Sequence, residues 1–309
     1  PHQPGQEQKS CGSIAACTHP RAATGTFAQP SKFSRRGTLS VEGPSYRGPR
    51  HPEKTMPRIT VEKIGRVAVL TLNDPERRNA LSLDLNQELN SALDTLEEDS
   101  ETGAVVLTGA GKAFCAGADL SQLGASRREG LLNIYEGFLR VARSPLPTVA
   151  AVNGAAVGAG MNLALACDLR IAGASARFDT RFLDLGIHPG GGHTWMFRSI
   201  AGQQATMAAV LFSQVLDAAE AERVGLVWKA VADDLLLDSA VACAARAAEA
   251  PSELTRRVKR TIQDMGSIHS HEEAVQRELE DQVWSMDQPA FAESLLALQQ
   301  RISSQGTGQ

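Results

Sequence analysis

The chain has 309 residues, 31 Lys+Arg against 35 Asp+Glu for a net charge of −4, and 42% hydrophobic but only 5% aromatic residues. That length holds one large domain or two small ones, and no apolar run reaches the roughly 18 residues of a membrane span. The charge is uneven: residues 1–55 carry eight Lys/Arg and three Asp/Glu, net +5, and the rest 23 and 32, net −9. An acidic body argues against nucleic acid as the main partner. Five scattered cysteines, an odd number, read as reduced structural thiols in a cytoplasmic setting.

Residues 1–55 are rich in Pro, Gly, Ser and Arg without apolar periodicity, and disorder is expected there. They lack the apolar stretch of a secretory signal. Their prolines and glycines spoil the amphipathic helix of a transit peptide, so they read as an extension, with Met56 as the natural start. RVAVLTLN (66–73) then reads as a strand and NDPERRNA (73–80) as a polar turn. Ser82 is placed to cap a helix carrying Leu85, Leu89, Leu93 and Leu96. GAVVLTG (103–109), PTVAAVNG (147–154), DLRIAG (168–173) and ARFD (176–179) are further strands. Their alternation with helices predicts parallel pairing through crossovers. After residue 193 the pattern turns wholly helical. Asp217 and Glu220 suit a capping box, and helices are expected near 233–249, 252–265, 271–286 and 289–302. The basic run RRVKR (256–260) reads as solvated helix surface.

Two segments share one chemistry. AFCAGADL (113–120) follows the strand 103–108, and NGAAVGAGMNL (153–163) follows the strand 147–152. Each strips the backbone of side chains where a strand ends. Glycine lets a ligand approach the main chain, and a helix start leaves N–H groups free. Two such turns side by side would aim two donors at one oxygen, the geometry of an oxyanion hole. Close helix–strand packing also selects Gly and Ala, so either turn alone has a purely structural reading. GAGKA (109–113) lacks the first Gly and the Ser/Thr of a P-loop, GAGMNL fails the dinucleotide fingerprint, and no G-x-S-x-G elbow is present.

In order along the chain, LTLNDPERRNAL (70–81), VVLTGAGKAFCAGADL (105–120), PTVAAVNGAAVGAGMNLALACDLRIA (147–172), FLDLGIHPGGG (182–192) and DAAEAERVGLV (217–227) resemble the crotonase superfamily, the enoyl-CoA hydratase/isomerase family. The resemblance covers about residues 58–302. It implies an α/β fold: a crotonase-like ββα superhelix over 56–245 and a helical C-terminal association region over 246–309, forming trimers or hexamers. It also implies an acyl-CoA or enoyl-CoA thioester partner in fatty acid metabolism, with CoA part of the substrate and no separate cofactor. By this resemblance the backbone N–H groups of Ala118 and Ala159 hold the thioester oxygen. Arg78, Asn79, Ala80, Ala116, Gly117, Asp119, Gly158 and Gly160 line the substrate path, mostly through main chain.

Hydrating an enoyl thioester needs a base for water and an acid for the α-carbon. The family's hydratases use two glutamates; at their positions this chain has Asn162 and Phe182, and neither exchanges protons near neutral pH. Related isomerases place a carboxylate near the PGGG turn, where Gly190 and Gly191 stand. Asp184 is the remaining substitute, although a turn would point it elsewhere. Asp179 reads as a turn cap and His188 as a satisfied loop histidine. Asn162 has two open readings, a hydrogen bond to thioester or water, or a tie between helix and loop. Phe182 reads as an apolar wall. The pairs His188/His193 and His269/His271 lack a third ligand, so no metal site is expected. Arg301 is the candidate for CoA phosphate contact, against a solvated helix face. The expectation is therefore a lyase or isomerase of the enoyl-CoA hydratase type (a carbon–oxygen lyase), with a non-catalytic acyl-CoA carrier as its rival.

Overall fold

A computed structural model describes residues 56–122 and 126–305; the expectation for residues 1–55 lies outside them. The described residues form two sheets. In the larger, β1 (Ile59–Ile64) is antiparallel to β2 (Val67–Leu72). Beside β2 run β3 (Ala104–Gly109), β5 (Thr148–Val152), β7 (Leu169–Gly173) and β10 (Lys229–Val231), all parallel. In the smaller, β4 (Ala113–Cys115), β6 (Ala155–Val157) and β8 (Arg177–Asp179) are parallel, and β9 (Leu216–Asp217) closes the edge antiparallel to β8.

From β2 to β8 consecutive strands follow the spiral, with β3, β5 and β7 in the larger sheet and β4, β6 and β8 in the smaller. β3 leads to β4 and then to α2 (Arg127–Ala142); β5 leads to β6 and α3 (Ala159–Ala166); β7 leads to β8 and then, after a loop, to α4 (His193–Leu211). This is a ββα spiral of three successive turns. The strand ends of β4, β6 and β8 thereby stack at one edge, with Cys115 opposite Ala156 and Val157 opposite Asp179.

The central strands β2, β3, β5 and β7 of the larger sheet are buried on both faces, which is why they read as apolar runs. Leu70, Leu72, Val105 and Leu107 face Leu85, Leu89 and Leu93 of α1 (Leu83–Glu98). Val67, Val69, Val106, Val149 and Ile171 face Ala240, Ala244 and Ala248 of α6 (Leu236–Ala248). Small residues on α6 let it lie close to the sheet: a β-carbon on Gly103 would come within 2.7 Å of Ala248. The Ser82 hydroxyl accepts from Leu85 N at 3.2 Å, as the cap requires. Asp217 likewise accepts from Glu220 N at 2.9 Å at the start of α5 (Ala218–Arg223), but the Glu220 carboxylate turns to Arg223 and leaves the capping box half made.

Three expectations are corrected. The ordered part opens one strand earlier, at β1. The region after 193 is not wholly helical, because β9 and β10 each complete a sheet edge. And RRVKR is solvated only in part, with Val258 and Arg260 exposed and the other three residues engaged. On α7 (Ser252–Asp264), the Arg256 guanidinium donates to Glu97 O at 3.0 Å. The Lys259 ammonium, 10% exposed, lies 2.7 Å from Asp168 and donates to Leu146 O at 2.8 Å. Arg257 reaches Asp281 of α8 (His271–Met286) at 2.6 Å and stacks over Trp284, 4.0 Å from the ring centroid. The run ties the C-terminal helices to the spiral. α9 (Pro289–Gln305) completes the chain's described part.

Candidate functional site

Because β4, β6 and β8 are parallel neighbours, the segments that leave them meet: residues 116–119, 158–160 and 180–182. Open α/β proteins bind ligands beyond the carboxyl ends of parallel strands. The first two segments touch through backbone. A β-carbon on Gly117 (φ 110) would stand 3.0 Å from Val157 O, and one on Gly160 would stand 2.1 Å from Cys115 O. Gly160 is therefore needed for close packing, and Gly117 both for packing and for its left-handed backbone.

Several N–H groups around these turns are taken, while those of Gly117, Gly160 and Met161 meet no carbonyl among the described residues. Ala80 N donates to Arg77 O at 3.2 Å, Ala116 N to Arg78 O at 2.9 Å, Asp119 N to Leu81 O at 2.9 Å and Gly158 N to Asp179 O at 2.9 Å. Among the described residues, neither Ala118 N nor Ala159 N meets a carbonyl. Ala159 is the first residue of α3, behind Gly158 at φ 52, so its N–H is one of the helix's orphan donors. Both residues are half-buried rather than sealed.

The turn before these segments is built by Asn79, which is fully buried. Its Nδ2 donates to Ala110 O at 3.0 Å and Ala113 O at 2.8 Å, and its Oδ1 accepts from Asp74 N at 2.9 Å. Arg78 and Asn79 hold left-handed backbone at φ 52 and 58. The Asn79 side chain is a clasp, so at this residue only main chain can face a ligand. The Asp119 carboxylate accepts from Ser121 Oγ at 2.5 Å and lies 3.5 Å from Arg77.

Asn162 lies one turn into α3 and is 1% exposed. Its Nδ2 donates to Gly190 O at 2.9 Å, which fixes the amide's orientation. Its Oδ1 then faces His193 Nδ1 at 2.6 Å. An amide oxygen only accepts, so His193 carries its hydrogen on Nδ1 and Nε2 keeps a bare lone pair. The tie between helix and loop, one of the two readings of Asn162, is present. Gly191 (φ 68) permits it, because a β-carbon there would strike Phe138 at 2.3 Å and crowd Asn162 Nδ2 at 3.1 Å.

His193 is 1% exposed and its Nε2 is buried without a hydrogen-bond partner. Leaving such a group unpaired costs about 1–3 kcal/mol. Burial alone pushes its pKa down to about 4. The ring packs edge-on to Phe182, centroids 4.9 Å apart, and to Phe197 at 5.9 Å. Phe182 in turn reaches the second turn, since a β-carbon on Gly158 would lie 4.0 Å from its ring.

The remaining candidates fall outside this cluster. Asp184 is exposed and accepts from Ser213 Oγ at 3.3 Å. Asp179 pairs with Arg181. His188 Nδ1 lies 2.6 Å from Pro189 O. Cys115 is buried at the end of β4, and burial pushes its thiol up to about 12, far from a nucleophile's range. Among the described residues no group of three or more His, Cys, Asp or Glu could hold a metal ion.

Residues 62–302 match the sequence model of the enoyl-CoA hydratase/isomerase family. The chain belongs to this family. A probable enoyl-CoA hydratase of Mycobacterium tuberculosis is 48% identical over 252 residues, covering 79% of this chain and 97% of the relative. The crystal structure of an enoyl-CoA hydratase from Bacillus anthracis superposes with a TM-score of 0.75 at 32% identity, covering 79% of this chain and 96% of that one. A candidate enoyl-CoA hydratase of Thermobifida fusca, solved in complex with CoA, gives a TM-score of 0.67 at 28% identity, covering 74% and 93%. The crotonase fold anticipated from the motifs is thus the fold of the chain.

Within this enoyl-CoA hydratase/isomerase family member, sequence reasoning missed His193 as part of the site. It stood only as half of a rejected metal pair. Tyr135 of α2 was also missed: a β-carbon on Gly190 would stand 2.2 Å from its hydroxyl, so it presses on the same loop. Tyr135 and His193 lie 27 and 31 positions from Asn162 and carry no periodic signal that would join them to it.

Proposed function

We propose that this protein binds an acyl-CoA thioester at the edge where β4, β6 and β8 end, and that the backbone N–H groups of Ala118 and Ala159 hold the thioester oxygen. One observation supports the reading: these two donors lack protein acceptors among the described residues and stand on turns that touch, beside the equally unpaired N–H groups of Gly117 and Gly160. Two preorganised donors favour the state in which the oxygen becomes an enolate, and each is worth roughly 3–4 kcal/mol there. The chemistry supported is that of an enoyl-CoA hydratase or isomerase in fatty acid metabolism, in a reducing compartment. CoA enters as part of the substrate, so the reading calls for no separate cofactor. Gly117, Gly158 and Gly160 keep side chains away from the thioester.

The rival reading, an acyl-CoA carrier without chemistry, draws on two facts. Asn162 is tied at both ends, and Asp184 is held outside the cluster. Ala159→Pro tests the oxygen contact, because proline at the first helical position removes the N–H and keeps the helix. Turnover of hex-2-enoyl-CoA should fall 10²–10³-fold, and hexanoyl-CoA, measured calorimetrically, should bind less tightly than to the parent chain. An unchanged affinity and rate would sink the oxygen assignment. A parent chain that binds without any turnover would establish the carrier.

We also infer self-association through the C-terminal helices, as a trimer or hexamer. α7 and α8 contain no buried residue, and Ile262, Val283, Met286 and Ile302 are 68%, 52%, 53% and 62% exposed in the single chain. Sedimentation of the intact chain and of Ile262→Asp checks this; a parent chain that sediments as a monomer overturns it.

A further inference from the structure

We propose that His193 is a catalytic residue of this site: with its Nδ1 hydrogen held by Asn162, its Nε2 lone pair takes the proton of the water that adds to an enoyl thioester. The proposal rests on the thioester reading above and supplies the proton carrier that reading lacks.

Three observations lead to it. The imidazole is 1% exposed, yet Nε2 has no partner, and a bare nitrogen lone pair can only be satisfied by an O–H or N–H donor. Its tautomer is fixed by the Asn162 amide, itself fixed by Gly190 O, so the lone pair is always on Nε2. And the ring lies one aromatic side chain from the turn that carries Ala159: Phe182 contacts both His193 and the surroundings of Gly158. The Phe182 segment is lightly packed. Leu183, Leu185 and Ile187 are 45%, 57% and 42% exposed, and Arg181 holds a left-handed φ of 49. The step requires the Phe182 ring, which lies against both the imidazole and the Gly158 turn, to move aside when the thioester binds. The neighbouring carboxylates do not compete, since Asp179 is paired with Arg181 and Asp184 accepts from Ser213.

The step balances without a further reactant. The water oxygen bonds to the β-carbon, the C=C pair moves to the thioester oxygen as an enolate, and the water proton passes to Nε2. The imidazolium then returns a proton to the α-carbon as the enolate collapses, giving a 3-hydroxyacyl thioester. Burial places the imidazole's basicity where an ordinary glutamate carboxylate has it, at a pKa of about 4, so it is neutral and able to accept a proton at physiological pH.

The test uses the full chain and His193→Asn. The asparagine amide keeps a donor toward Asn162 and removes Nε2 together with Cε1. Hydration of hex-2-enoyl-CoA should fall about 10²–10⁴-fold, while the Kd for hexanoyl-CoA stays within about threefold. Equal turnover by parent and variant overturns the proposal. So does a parent chain that binds hexanoyl-CoA and never hydrates the enoyl thioester, an outcome that leaves the thioester reading standing. Failure of the parent to bind hexanoyl-CoA at all removes that reading as well. If the variant does not fold, nitrogen NMR of the histidine-labelled parent decides. The His193 Nε2 resonance should move with 3-hydroxyhexanoyl-CoA, whose hydroxyl can donate, and stay put with hexanoyl-CoA. A resonance indifferent to both overturns the assignment.

Discussion

The two ends of this molecule handle polar groups in opposite ways. At the site edge the buried cluster of Asn162, His193 and Gly190 O is neutral throughout, and each hydrogen bond in it orients the next. At the C-terminal helices the ties are ionic: Asp281 accepts from Arg257 and Arg277, each at 2.6 Å, and these two guanidiniums hold its carboxyl down to about 2. The difference follows from solvent. A neutral amide–imidazole pair can be buried at the cost of matching donors to acceptors, whereas a buried charge loses several kcal/mol of hydration. The Asn162–His193 cluster therefore holds no ionised group, and the buried carboxylate at the end of β8, Asp179, is paired with Arg181. A proton carrier there must be neutral at rest.

Breaking the neutral cluster should have the largest effect. Asn162→Leu fills similar space but strands Gly190 O and the Nδ1 hydrogen of His193, on top of the already unpaired Nε2. With about 1–3 kcal/mol for each stranded group, a loss of about 2–5 kcal/mol is expected. In a thermal melt this is a drop on the order of 10 °C for a chain of this size. A midpoint within a degree or two of the parent would show that the cluster is not holding α3 to the loop.

Acid should act on the same cluster with a defined sign. The folded pKa of His193, about 4, lies below the unfolded value near 6.5. The unfolded chain therefore binds the extra proton first. The contribution of the neutral imidazole is fully present above pH 6.5 and is lost as pH falls toward 4, up to about 3 kcal/mol. His193→Phe removes the titrating group, so its melting temperature should decline less steeply between pH 6.5 and 4.5 than that of the parent. Parallel declines would place the acid sensitivity elsewhere.

Much of the architecture could be read before any coordinates, because it rests on local rules. The Ser82 cap, the four-and-three spacing of Leu85 to Leu96, and the apolar runs of β2, β3, β5 and β7 each announce themselves within a window of some ten residues. The two small-residue turns were equally legible, since stripping side chains from a strand end leaves a mark in composition. The rest was hidden for physical reasons. β4 and β6 have three residues each, too short for alternation to show, yet their pairing sets the site edge. The contact of Asn162 with His193 is a tertiary product of the spiral. RRVKR looked like surface because charge alone does not tell which lysine finds a carboxylate. Lys259 does so only because α7 crosses the loop that joins Leu146 to β5.

Lys259 sharpens the comparison from the ionic side. It is the most sheltered charge of that region, and its ammonium serves both Asp168 and Leu146 O, while Asp168 also accepts from Thr148 N at 2.8 Å. Lys259→Met keeps the aliphatic stem and removes the charge-assisted bonds, for an expected loss of about 1–2 kcal/mol, less than for Asn162→Leu. A loss as large as the asparagine's would mean that the C-terminal tie, and not the neutral cluster, governs the spiral.

Asp281→Asn should matter least, although it removes the charge of two short ion pairs and one of the two oxygens that accept from Arg257, Arg277 and Thr261 Oγ1. Its partners are open to water, where exposed pairs contribute little and salt screens them over about 10 Å. The stacking of Arg257 on Trp284 persists without it. The melting temperature should fall by less than about 2 °C at low salt, and the difference from the parent should fade near 0.5 M NaCl. A large, salt-independent drop would require that this ion cluster is sealed from solvent, as it would be if a second copy of the chain covers α7 and α8. The smallest perturbation thus reads out the association surface: the same substitution is mild in an isolated chain and severe in an assembly that buries the cluster.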